Sequence, residues 1–141
     1  MKCFFDTSVL VAVFLGDHPA HDRALGRFLE ATKESSFCAL HSLAEVYSVV
    51  TRLPVRPAIS GDQASLFLEN LRERLAVVAL SERDYFAAIA EAAAAGVTGG
   101  RIYDALILRA AKKCAPEAIY TLNLRDFSRL APELASRLRI P

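Results

Sequence analysis

Apolar residues recur in this chain in two rhythms. Short continuous runs at Lys2–Phe5, Phe37–Leu40, Ala76–Leu80 and Ala118–Thr121 have the length of buried strands. Between them, apolar residues return every three or four positions. Ala64, Phe67, Leu68 and Leu71 fall on one face of a helix predicted over Ser60–Arg74. Helices are also predicted over Ser8–Leu15, Ala20–Thr32, Ser42–Leu53 and Ile102–Cys114. Gly16-Asp17-His18-Pro19 forms a turn whose proline opens the second helix, and Pro54 stops the third. Ser81, with Asp84 three residues on, caps a helix that runs through an alanine-rich segment to Gly96. Asn123–Phe127 reads as a loop or short turn, and Arg137–Ile140 as a short edge strand. Strands alternating with helices predict an α/β fold with a small, mostly parallel sheet covered on both faces.

Composition narrows the class. The 141 residues hold no repeat and no linker, which predicts a single domain over residues 1–141. An apolar share of 53% against a charged share of 23% excludes a disordered chain. No apolar run reaches the roughly 18 residues needed to cross a bilayer. One lysine followed by a short apolar stretch broken at Asp6 is a poor secretory signal, so a cytoplasmic location is expected. Cys3, Cys38 and Cys114 are odd in number and sit in apolar segments, as buried reduced thiols do. The net charge is +1, so nucleic-acid binding would have to come from local arginine placement.

The chemistry lies in four carboxylates far apart in the chain: Asp6, Glu45, Asp104 and Asp126. Asp6 and Asp104 interrupt apolar stretches, where an unpaired acid costs several kcal/mol or takes up a proton. Asp6 stands at the end of a predicted strand, and Asp126 follows another. Glu45 and Asp104 lie in the first turns of helices that follow loops. In open α/β sheets these places share one edge, so the acids can converge. Clustered carboxylates repel, and a cation relieves the repulsion. Oxygen ligands select a hard ion such as Mg²⁺, with Mn²⁺ as the alternative. Such an ion can activate water for hydrolysis of a phosphodiester.

Four segments resemble the PIN-domain ribonucleases, and most closely the VapC toxins. They are Phe5-Asp6-Thr7-Ser8, Ser42-Leu43-Ala44-Glu45-Val46-Tyr47 with its trailing Thr51-Arg52-Leu53-Pro54, Gly99-Gly100-Arg101-Ile102-Tyr103-Asp104-Ala105, and Thr121-Leu122-Asn123-Leu124-Arg125-Asp126-Phe127. The resemblance covers nearly the whole chain. It implies a PIN-like three-layer α/β/α sandwich and an Mg²⁺-dependent endoribonuclease, the toxin of a toxin–antitoxin pair. It also implies a homodimer and a partner antitoxin whose C-terminal segment lies across the active-site groove. By position, Asp6, Glu45 and Asp104 would be the core metal-binding acids. Family members carry the fourth acid at the site of either Asn123 or Asp126, and this chain has Asn at the first. Ser8, Thr121 and Asn123 would support the site through hydrogen bonds. Arg52, Arg56, Arg101 and Arg125 each flank one of these segments and together could line an RNA groove by holding phosphates.

Plainer roles compete for the same residues. Asp6 could be an N-cap, and Ser42-x-x-Glu45 has the form of a capping box. Asp126 beside Arg125 could form a local surface ion pair. His18 and His21 straddle a proline turn and read as solvated, and His41, just before the Glu45 helix, reads as a near-site residue or, more often, a packing or loop histidine. Gly96–Gly100 lacks the lysine of a phosphate-binding loop, which excludes a nucleotide triphosphate there. The main competing function is a binding module on the same fold with little catalysis.

Overall fold

The computed structural model describes residues 1–141. Its centre is a five-stranded sheet in the order β3-β2-β1-β4-β5, with every neighbouring pair parallel. The strands are β1 (Cys3–Phe5), β2 (Ser36–Ala39), β3 (Ala76–Val78), β4 (Ala118–Tyr120) and β5 (Leu138–Arg139). The chain winds outward from β1 to β3, then returns to place β4 on the other side of β1. The order therefore reverses between β1 and β4, where ligands settle in sheets of this kind.

Seven α-helices surround the sheet: α1 (Thr7–Phe14), α2 (His21–Leu29), α3 (Leu40–Thr51), α4 (Gly61–Leu71), α5 (Glu82–Ala94), α6 (Arg101–Cys114) and α7 (Leu124–Leu130). They make two cores, because successive strand residues point to opposite faces. Cys3, Phe5, Ala118 and Tyr120 face one core, with Val9 and Leu10 of α1 and Val46 and Val50 of α3. Phe4 and Ile119 face the other, with Ile107 and Leu108 of α6 and Phe127 of α7. The result is a three-layer α/β/α sandwich. Ala64 and Leu71 of α4 are buried, and Phe67 and Leu68 pack against the first core.

The predicted elements differ from the observed ones where packing overrides local signals. Asn123–Phe127 is no loop: α7 runs from Leu124 to Leu130 because Phe127 is fully buried in the second core. A 3₁₀ helix over Pro132–Arg137 precedes β5, which is only two residues long. The third helix starts at Leu40 rather than Ser42, so Ser42 lies inside its first turn and makes no cap. Capping boxes do form at Ser60 with Gln63 and at Ser81 with Asp84. All three cysteines are unpaired, and burial pushes the Cys38 thiol up to about 12. No helix is long and apolar enough to cross a membrane.

Candidate active site

The loop after β1 brings the first acid to the switch point. Asp6 is only 2% exposed. Its backbone N–H donates to the carbonyl of Tyr120 at 2.9 Å, which ties the ends of β1 and β4 together. Two hydroxyls serve its Oδ2: Ser8 Oγ donates at 2.7 Å and Thr121 Oγ1 at 2.9 Å. Each hydroxyl has one proton and also accepts a backbone N–H, from Leu122 and Asn123 respectively. Those N–H groups leave each hydroxyl proton free for the carboxylate. Burial nevertheless raises the Asp6 carboxyl above its ordinary range, while the Ser8 and Thr121 hydroxyls pull it down. Asp6 occupies the N-cap position of α1, but no side-chain capping bond forms.

The second acid is held by Thr7. Its Oγ1 lies 2.9 Å from Glu45 Oε1 and 2.9 Å from the buried Ser42 Oγ. The charged oxygen is the stronger acceptor. This contact replaces the capping box that Ser42-x-x-Glu45 suggested, because Glu45 reaches across to α1 instead of back to its own helix end. His41 Nε2 lies 4.0 Å from the same Glu45 oxygen.

The third acid enters from α6. Gly99, at φ +61°, turns the chain through a region that side chains strain to adopt, and α6 begins two residues later. Asp104 falls in its first turn and is half-buried. Its carboxyl is pushed up to about 6, first by desolvation and then by the charges of Asp6, Glu45 and Asp126. Arg101 acts in the opposite direction.

Asp6, Glu45 and Asp104 line one open cleft of about 510 Å³, together with Thr7, Ser8, His18 and Asn123. Asp126 is not part of its wall. It lies exposed in the first turn of α7 and reaches the site only through its field at Asp104. Arg52, Arg56, Arg101 and Arg125 are all exposed and none lines the cleft. His18 stands in the turn, half-buried, where it lines the cleft and its Nδ1 accepts the Ala20 N–H at 3.0 Å. His21 is tied to the Ala12 carbonyl at 2.8 Å and plays no part in the wall. Thr7 and Ser42 were not singled out from sequence as site residues. Only their position beside Asp6 and Glu45 pointed to them.

The donor set suits a hard cation. No three His, Cys, Asp or Glu side chains stand close enough to enclose an ion by themselves. Mg²⁺ does not require such an enclosure, since it is commonly held by one or two carboxylates and keeps several waters. Desolvation raises the Asp104 carboxyl first and the charges of Asp6, Glu45 and Asp126 raise it further; a divalent ion would relieve that second contribution.

Comparison with known proteins identifies the family and the fold. The PIN domain family model matches residues 3–132. Ribonuclease VapC40 of Mycobacterium tuberculosis (strain ATCC 25618 / H37Rv) is 36% identical over 137 residues, covering 96% of this chain and 92% of that protein. Ribonuclease VapC27 of the same strain is 36% identical over 107 residues, covering 75% of this chain and 74% of its own. The crystal structure of M. tuberculosis VapC20, a sarcin-ricin-loop-cleaving toxin, superposes with a TM-score of 0.72 at 15% identity, covering 91% of this chain and 95% of that one. VapBC2 of Rickettsia felis, bound to a DNA fragment from its promoter, matches with a TM-score of 0.67 at 18% identity, covering 100% of this chain and 99% of the other. A family model spanning nearly the whole chain, with ribonuclease relatives aligned over most of their length, places this chain in the PIN-domain family, among the VapC proteins.

Proposed function

We propose that this chain is a divalent-metal-dependent endoribonuclease, the toxin of a toxin–antitoxin pair, acting as a single domain in the cytoplasm. The observation that carries the reading is the convergence of Asp6, Glu45 and Asp104, from three separate elements, on one cleft with oxygen donors. The ribonuclease relatives VapC40 and VapC27 support the substrate class.

Hydrolysis adds the oxygen of water to phosphorus and breaks one P–O ester bond. The departing ribose oxygen gains a proton, and the attacking water gives one up. Mg²⁺, or Mn²⁺ in its place, would be held among Asp6, Glu45 and Asp104, by one or two carboxylates directly and otherwise through its retained waters, and would supply Lewis acidity and charge neutralisation. The chain's own residues prepare the site. Ser8 and Thr121 hold Asp6, Thr7 holds Glu45, and Asn123 offers a further hydrogen-bonding side chain at the wall. Asp126 strengthens the negative field at Asp104. Arg52, Arg56, Arg101 and Arg125, all exposed, are proposed to hold RNA phosphates outside the cleft. An antitoxin that covers the cleft and a second copy of the chain are the proposed protein partners. VapBC2 supports the first of these.

Purified protein is expected to cleave RNA in Mg²⁺ or Mn²⁺ and to stop in EDTA. Asp6→Asn and Asp104→Asn should stay folded and lose cleavage. Undiminished cleavage by folded Asp104→Asn protein would refute the reading.

A further inference from the structure

Beside the acids stands an aromatic pair that the hydrolysis does not use. His41, in the first turn of α3, and Tyr103, in the first turn of α6, stack with ring centroids 5.0 Å apart and planes 15° apart. The same two helices deliver acids to the cleft. His41 precedes Glu45 by one turn and approaches it at 4.0 Å. Tyr103 directly precedes Asp104. His41 covers one face of Tyr103, yet the tyrosine is still 47% exposed. A large ring is thus clamped at the surface with its orientation set by a second ring.

Three carboxylates repel an RNA backbone, so substrate needs attraction of another kind close to them. Stacking on an aromatic ring is sequence-tolerant and does not depend on charge. A base inside a duplex has both faces covered by its neighbours, whereas an unpaired base can add to an open ring. We propose that the Tyr103–His41 stack is a nucleobase-binding platform, on which one base of the RNA stacks against Tyr103 beside the scissile phosphate. The proposal rests on the ribonuclease reading of the cleft and adds a base contact at Tyr103 beside the acids.

The test uses the full chain and a single-stranded oligoribonucleotide carrying 2-aminopurine, whose fluorescence falls when the base stacks. Binding is measured in EDTA, which keeps the RNA intact, and cleavage of the same RNA is measured in Mg²⁺. Quenching is expected with the wild type. Tyr103→Leu, which keeps apolar bulk without a π face, should remove the quench and weaken binding roughly 10-fold. Tyr103→Phe should restore both. The same sequence locked in a duplex should give no quench. A pair that merely clamps α3 to α6 would lower the melting temperature of Tyr103→Leu and leave quench and affinity unchanged, and that result overturns the proposal. Equal binding of duplex and single strand overturns it too. Cleavage in Mg²⁺ without a Tyr103-dependent quench removes the platform alone, while absence of cleavage from every RNA removes the ribonuclease reading beneath it.

Discussion

Thr121 Oγ1 donates to Asp6 Oδ2 at 2.9 Å across 115 positions of sequence, joining the ends of the two strands between which the sheet order reverses. The hydroxyl is fully buried, and so is the carboxylate it serves. Thr121→Val keeps the shape and leaves a buried acid short of a donor. A stability loss of about 1–2 kcal/mol is expected by denaturant titration, together with reduced cleavage. Wild-type stability in the variant would show that Ser8 alone satisfies the acid.

Thr7 makes the corresponding contact with Glu45 from the neighbouring helix. Thr7→Val should free Glu45 to swing, and kcat should fall about 10-fold with a smaller change in KM. Thr7→Ser keeps the hydroxyl and should recover most of the loss. Equal impairment of both variants would assign the role to the methyl group and its packing.

Asp104 links the site to stability. Its folded carboxyl, raised to about 6, holds a proton more tightly than the unfolded chain does. The resulting stabilisation is fully present below the unfolded value of about 3.9 and disappears as pH rises through about 6. Metal-free wild type should therefore be less stable at pH 7 than Asp104→Asn, by roughly 1 kcal/mol once solvent screening of this half-buried group is allowed for. Thermal melts in EDTA from pH 4.5 to 7.5 should show the gap closing toward the acid end. A gap that stays constant would mean the carboxyl titrates normally.

Ala115 ends α6 in the left-handed region, at φ 49° and ψ 54°. A β-carbon is unfavourable there, and glycine is the usual occupant. Ala115→Gly should stabilise the protein by about 0.5–1 kcal/mol without touching RNA cleavage. A melting temperature at or below that of the wild type would contradict the assignment of strain.

Much of the architecture was readable because it follows from local pattern. The four longer strands are continuous apolar runs, and the helix over Ser60–Arg74 shows its buried face in its spacing. Asp6 and Asp104 stood out because acids inside apolar stretches need a reason. Helix α7 was missed because its one deeply buried residue, Phe127, gains its environment only when α6 and β5 pack around it.

The order of residues alone determined that strands would alternate with helices and that four acids would sit at strand ends or early helix turns. Only the folded chain decided which of them share a wall: Asp6, Glu45 and Asp104 do, and Asp126 stands outside. Apolar periodicity encodes which face of an element is buried, but hydroxyl-to-carboxylate contacts such as Thr7 to Glu45 depend on how separate elements dock, and no short stretch of sequence carries that information.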